Sequence, residues 1–89
     1  MKEISWSLLK SERLKKTRGI SFEELLRAQL ISVKRNPKRE NQRIMLFRHK
    51  RYIWVVPFVE NEEQIFLKTL FPSTKYTRLY REGKLDEKD

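Results

Sequence analysis

Eighty-nine residues suffice for one small domain and not for two. Lysine and arginine number 21 against 12 acidic residues, a net charge of +9, and the 38% hydrophobic share includes five Phe, three Tyr and two Trp. The absence of cysteine excludes a disulfide framework and thiolate metal sites and fits a reducing compartment. No apolar run approaches the roughly 20 residues of a membrane span, and no signal-peptide core follows Met1, so a soluble, cytoplasmic protein is expected. A chain this small buries only roughly 60% of its unfolded surface, which makes support from a partner an expectation too.

In chain order, Ile4-Ser5-Trp6 alternates apolar and polar and predicts a short first strand. Ser7 stands at an N-cap position ahead of a helix with Leu8, Leu9, Arg13 and Leu14, and Gly19 stands at the C′ position that ends it. Ser21-Phe22-Glu23-Glu24 is a capping box, with Ile20 and Leu25 as its hydrophobic staple. Phe22, Leu25, Leu26, Gln29 and Leu30 then follow helical spacing, so a second helix is expected over 21–31. Residues 32–41 are polar and basic, carry the turn signal Asn36-Pro37, and read as a loop. Three runs rich in Ile, Val, Phe and Trp predict strands: Arg43–Arg48, Tyr52–Val59 and Gln64–Phe71. The links between them, His49-Lys50-Arg51 and Glu60-Asn61-Glu62-Glu63, are too short for parallel crossovers and specify an antiparallel meander. Pro72-Ser73 breaks the last strand, and Ser73 caps a short basic helix to about Arg81, with Tyr76, Leu79 and Tyr80 on its apolar side. The expected layout is β-α-α-β-β-β-α, a single α+β domain over 1–82 with helices on one face of the meander and a frayed tail over 83–89.

The charge is unevenly spread. Residues 32–58 hold eight bases and one acid: Lys34, Arg35, Lys38, Arg39, Arg43, Arg48, Lys50 and Arg51 against Glu40. Such a stripe attracts polyanions by counterion release, and nucleic acid is the commonest of them. The plainer reading is a solvated basic surface, or one that pairs with an acidic protein.

Most catalytic chemistries lack their parts. His49 is the only histidine, the acids have no metal-ligand spacing, two glycines cannot make a phosphate-binding loop, and no serine sits in a nucleophile elbow. No metal and no cofactor are therefore expected. Cleavage of RNA fits what is left, because the 2′-hydroxyl is its own nucleophile. The protein then supplies cations around the scissile phosphate and groups for proton transfer. Lys68 falls where alternation puts an apolar residue, on the face of Phe66 and Leu70; it either lines a polar site or guards a sheet edge. Lys75, Arg78 and Arg81 lie three apart on one side of the last helix, with Tyr76 and Tyr80 interleaved as stacking platforms; an amphipathic helix with a wet basic side gives the same pattern. His49, between Arg48 and Lys50, is a candidate general base or simply an exposed turn residue. Trp54 reads as core, and Trp6 as core or rim.

From Arg18-Gly19-Ile20-Ser21-Phe22-Glu23-Glu24, together with Ser5-Trp6-Ser7, Asn41-Gln42-Arg43 and Pro72-Ser73-Thr74-Lys75-Tyr76-Thr77, the chain resembles the BrnT family of type II toxins over roughly residues 4–80. It departs from that family in Leu25-Leu26-Arg27-Ala28-Gln29-Leu30, where an Ala-rich stretch is usual, and in the strongly basic 34–39 segment. The resemblance implies a fold like the RelE ribonucleases, a cytoplasmic RNA-cleaving toxin, and neutralisation by an antitoxin, in this family usually a ribbon-helix-helix DNA-binding protein, in a toxin–antitoxin hetero-oligomer. By matching position it points to Lys75 and Arg78, with Lys68 and the Arg48–His49 hairpin as neighbours. The expectation is thus a metal-independent endoribonuclease. Lys68, Lys75, Arg78 and Arg48 hold and stabilise the phosphate, His49 or Tyr80 transfers protons, and Tyr76 stacks a base. Two alternatives stand beside it: a non-catalytic protein whose basic residues 34–51 grip nucleic acid, and an interaction protein whose basic face docks an acidic antitoxin segment.

Overall fold

A computed structural model describes residues 2–85. The chain runs β1 (Glu3–Ser5), α1 (Leu8–Arg18), α2 (Phe22–Leu25), β2 (Gln29–Arg35), β3 (Arg43–His49), β4 (Tyr52–Glu60), β5 (Gln64–Leu67), β6 (Phe71–Ser73) and α3 (Thr74–Arg81). All six strands join one sheet in the order β1-β5-β4-β3-β2, with β6 on β4 as well. The pairs from β2 to β5 are antiparallel, and β1 lies parallel to β5. This is the expected α+β class with two more strands than expected. Among the described residues no helix is long and apolar enough to cross a membrane.

Local capping chemistry sets the first half of the chain. Ser7 Oγ accepts the Lys10 N–H at 3.2 Å, and Gly19, at φ 84°, closes α1 by donating its N–H to the Lys15 carbonyl. At α2 the Ser21 side chain accepts the Glu24 N–H, and the Glu24 carboxylate accepts the Ser21 N–H at 3.1 Å. The box starts the helix, but the helix lasts four residues rather than the eleven expected over 21–31. Phe22 and Leu25 are buried, whereas Leu30 is half exposed, so the apolar stripe does not continue past Leu26. From Gln29 the backbone gains more by pairing with β3, and β-branched Ile31 and Val33 suit a pleated surface. The expected loop at 32–41 is accordingly a strand as far as Arg35 and a loop only over 36–42.

Strand β4 explains the rest. Its residues Ile53 to Phe58 are all buried, which requires cover on both faces. Trp54, Val56 and Phe58 join Met45 and Phe47 on one face, beneath Leu14, Ile20, Phe22 and Leu25 of the α1–α2 segment. Ile53 and Val55 join Ile44 and Leu46 on the other, where Phe71, Tyr76, Tyr80 and Leu85 pack against them. The helices are therefore split across the sheet, α3 on its own side, rather than gathered on one face.

Pro57 sits within this strand. Its carbonyl accepts the Lys68 N–H at 2.9 Å, and because a residue's N–H and C=O leave a strand on the same side, the β5/β6 edge is where Pro57 has no donor. There the partner strand breaks. β5 ends at Leu67, residues 68–70 leave the ladder, and β6 resumes opposite Val55. The expected single strand Gln64–Phe71 is thus two, and Phe71-Pro72-Ser73 pairs instead of ending the sheet. Leu70 crosses to the α1–α2 core, fully buried, so Lys68 and Leu70 do not share the face that unbroken alternation assigned them.

α3 is fastened at both ends. Ser73 caps it by accepting the Tyr76 N–H at 3.0 Å. Gly83, at φ 70°, donates to Tyr80 O, and Lys84 donates to Leu79 O, the paired bonds of a Schellman turn. That turn brings Leu85 onto the core, so the expected frayed tail does not begin at Gly83; residues 86–89 lie outside the described residues. In the middle, the buried Thr77 hydroxyl accepts the Ile53 N–H at 2.8 Å and donates to Ser73 O at 2.6 Å, standing in for a missing ladder bond. Thr77→Val keeps the shape and orphans a buried amide. Denaturant unfolding is expected to show a loss of about 1–3 kcal/mol with an unchanged m-value.

The capping box also makes a pH prediction. The Lys15 ammonium, then the Ser21 N–H, hold the Glu24 carboxyl down at about 2, from an ordinary 4.5. A folded pKa below the unfolded one means that the contribution is complete above about pH 4.5 and is lost as pH falls toward 2. Stability measured across that window is expected to fall less steeply in Glu24→Gln than in the parent; an identical slope would count against the box as an acid-sensitive element.

Candidate nucleic-acid interface

The 36–42 loop is held by its own hydrogen bonds. Asn36 Oδ1 accepts the Lys38 N–H at 2.9 Å, Asn36 Nδ2 donates to Gln42 Oε1 at 3.3 Å, and the Asn36 N–H donates to the Gln42 carbonyl at 3.1 Å. An Asx turn of this kind fixes where Lys38 and Arg39 start from the backbone. Facing them is the break at 68–70 that Pro57 imposes. Between the two lies a cleft of about 530 Å³, lined by Lys10, Asn36, Lys38, Arg39, Gln42, Pro57, Lys68, Thr69 and Phe71. A second pocket of about 200 Å³ shares Asn36, Lys38, Pro57 and Phe71 with it and continues to Pro37, Ile44, Val55, Lys75 and Tyr76 under the start of α3. Among the described residues, five cations and no carboxylate line the two together. That combination suits a polyanion, because no protein acid competes for the charge.

The aromatic groups sit beside these cations. Lys68 Nζ lies 5.6 Å from the Phe66 ring centroid and Lys75 Nζ 5.5 Å from that of Tyr76. Burial raises the Tyr76 phenol above its ordinary 10, so at neutral pH it is a hydrogen-bond donor and not a phenolate.

Of the residues singled out in the sequence, the structure gathers Lys38, Arg39, Lys68, Lys75 and Tyr76 at the joined clefts. Arg78 and Arg81 are exposed on α3, on the same side of the sheet. At the far end of that side the Arg48 guanidinium lies 5.8 Å over the Tyr80 ring, and Arg81 donates to the Arg51 carbonyl at 3.2 Å. Lys50 occupies the adjoining turn in a left-handed conformation, φ 58°. The two groups form the ends of one basic band along α3.

Five of the residues singled out in the sequence lie away from the joined clefts. His49 points to the other face of the sheet, its ring edge-on to Trp54 with centroids 6.4 Å apart, and lines neither cleft. Tyr80 is half-buried at the Arg48 end and also lies outside the clefts. Arg43 lies over the Phe58 ring and bonds Glu60 at 3.0 Å, on the α1–α2 side. Lys34 is a strand residue, only 8% exposed, opposite Ile44; its neighbour Arg35 borders a separate depression with Glu40 and Arg43. Sequence spacing missed Lys10, which nothing in α1 marks as different from its other lysines. It also missed Pro57, whose place inside an apolar strand run was a readable sign of a broken edge.

A third cleft, of about 280 Å³ between α1 and α2, is lined by Ser11, Glu12, Lys15, Lys16, Ser21 and Glu23. Its polar groups serve the fold. Ser11 Oγ donates to Glu23 at 2.5 Å and accepts the Phe22 N–H at 3.0 Å, Trp6 Nε1 donates to Glu23 at 3.3 Å, and Lys15 pairs with Glu24 at 2.9 Å. Among the described residues no group of three or more His, Asp or Glu is placed to hold a metal ion. No protein-family model, no curated protein and no solved structure matches the chain.

If the clefts and not net charge govern binding, position matters. Lys38→Glu with Lys68→Glu is expected to weaken binding of a fluorescent oligoribonucleotide severalfold more than Arg13→Glu with Arg27→Glu, which changes the charge equally. The slope of log K against log salt is expected to flatten by roughly 0.7 for each phosphate that is no longer neutralised. Equal weakening in the two double variants would assign binding to overall charge alone.

Proposed function

We propose that the protein is a metal-independent endoribonuclease of the small-toxin kind, with the joined clefts beside α3 as its RNA site and a cytoplasmic antitoxin as its partner. The observation that carries this reading is the gathering of Lys10, Lys38, Arg39, Lys68 and Lys75, from four separate parts of the chain, around two joined clefts that no carboxylate among the described residues lines, with Tyr76 at their wall. The resemblance of Gly19–Glu24 and Pro72–Thr77 to the BrnT toxins points the same way, and with it a RelE-like fold and a ribbon-helix-helix antitoxin.

In this reading the 2′-hydroxyl attacks the adjacent phosphorus and the P–O5′ bond breaks, leaving a 2′,3′-cyclic phosphate and a 5′-hydroxyl. Lys68 and Lys75 stabilise the charge that accumulates on the non-bridging oxygens. The Tyr76 hydroxyl, protonated at neutral pH, donates toward the departing 5′-oxygen. Among the described residues no histidine or carboxylate lines the clefts to take the 2′-hydroxyl proton, so in this reading it passes to solvent hydroxide. Turnover is then slow, and its rate rises with pH.

Incubation of purified protein with single-stranded RNA in EDTA tests this. Cut products with cyclic-phosphate ends are expected, faster at pH 9 than at pH 7, lost in Lys68→Ala with Lys75→Ala, and retained in His49→Ala. The same absence of a base favours a second reading, a nucleic-acid-binding protein without catalysis. Tight, salt-sensitive binding with intact RNA at every pH would establish that one instead. RNA neither cut nor bound would end both.

A further inference from the structure

The two joined clefts differ in chemistry. The larger is ringed by Lys10, Lys38, Arg39 and Lys68. The smaller is walled by Ile44, Val55, Pro57, Phe71 and Tyr76, with Lys38 and Lys75 at its rim. Phosphates alone do not explain the second, because an ionic backbone gains nothing from aliphatic and aromatic walls. At about 200 Å³ it is smaller than the roughly 300–1,000 Å³ of ordinary small-molecule sites. It is of a size for one flat heterocycle.

We infer that the smaller pocket receives a single unpaired nucleobase while its flanking phosphates lie on Lys38, Lys68 and Lys75, so that the ligand is single-stranded RNA and not duplex. The inference rests on the RNA-site reading above and adds the strandedness of the ligand and the place of a base. Its geometry is consistent on three counts. The cation nearest the Tyr76 ring is Lys75, 5.5 Å from the centroid, so a platform for a base and a charge for its phosphate are neighbours. The pocket wall is rigid: Thr77 bonds α3 to β4, and Ser73 caps the helix one residue before its first turn. Asn36, which lines both clefts, is tied into its own loop by bonds to Lys38 and Gln42, and the remaining wall of the smaller pocket is largely apolar, which makes burial and stacking the main attraction. Recognition by stacking tolerates every base, since each has a π face, and a paired base inside a helix cannot enter.

The test uses three probes of matched phosphate count: a single-stranded oligoribonucleotide with a 2′-O-methyl backbone to prevent cleavage, the same strand with abasic residues throughout, and a blunt RNA duplex of half that length. Affinity is read by competition against a labelled single strand. The base-bearing strand is expected to bind roughly tenfold or more tightly than the abasic one. The duplex is expected to compete as poorly as the abasic strand. Tyr76→Phe keeps the ring and is expected to keep this ratio, whereas Tyr76→Leu is expected to bring it close to one; folding of both is checked by thermal unfolding. Equal affinity for base-bearing and abasic strands would overturn the base pocket while leaving a phosphate-binding cleft intact. Binding of none of the three would instead remove the RNA site itself.

Discussion

Strand β4 is hydrogen-bonded along both edges, covered by a hydrophobic layer on both faces, and at Pro57 has no amide hydrogen to offer. The consequences spread outward from that single missing donor. A continuous partner strand would leave an unmatched carbonyl in a buried sheet, so the chain opposite breaks after Leu67 and rejoins at Phe71. The released residues separate by character. Leu70 sinks into one core, Phe71 turns to the other, and Lys68 stays in solvent at the mouth of the gap. Pro57 is itself part of the wall of both clefts. The site is a by-product of how the sheet accommodates a proline in its most buried strand.

Around that gap, hydroxyl groups do much of the fastening. Thr77 links the start of β4 to the start of α3, and Ser11 links α1 to the N–H that opens α2. Both are almost wholly buried and fully bonded, and among the described residues no buried side-chain polar atom lacks a partner. A small core gains specificity from such bonds, because any other arrangement leaves a donor or acceptor stranded. For α3 the effect is direct. Its basic outer side is presented at a fixed height above the sheet, and Lys75 and Tyr76 come with it.

Elements governed by local chemistry were legible in the sequence. Ser7, Gly19, the Ser21–Glu24 box and Ser73 occupy the caps assigned to them, and the short links at 50–51 and 61–63 give the antiparallel neighbours they require. What spacing could not reveal was competition from distant parts of the chain. Gln29 to Ile31 continues the helical spacing and Ser32 onward reads as a polar loop, and only the availability of β3 makes both into one strand. That change moves Lys34 from an open loop to a mostly buried strand position. The same parity rule separates Arg48 from His49: adjacent in sequence, they leave the sheet on opposite faces. A stripe of bases counted along the chain is therefore not a stripe in space, and the cations that do meet come from α1, the 36–42 loop, the 68–70 break and α3.

The parallel pairing of Glu3–Ser5 with Gln64–Phe66 bears on how the molecule is made. During synthesis β1 leaves the ribosome well ahead of its mate, with two helices and three strands in between. Until β5 emerges, the N-terminal segment carries Ile4, Leu8 and Leu9 without a sheet to join, and these side chains remain notably exposed even afterwards. The meander from β2 to β4 needs only near neighbours and can form on the nascent chain, whereas the outer rim must wait. Of the strands in this sheet, the first to be translated is among the last to find its place.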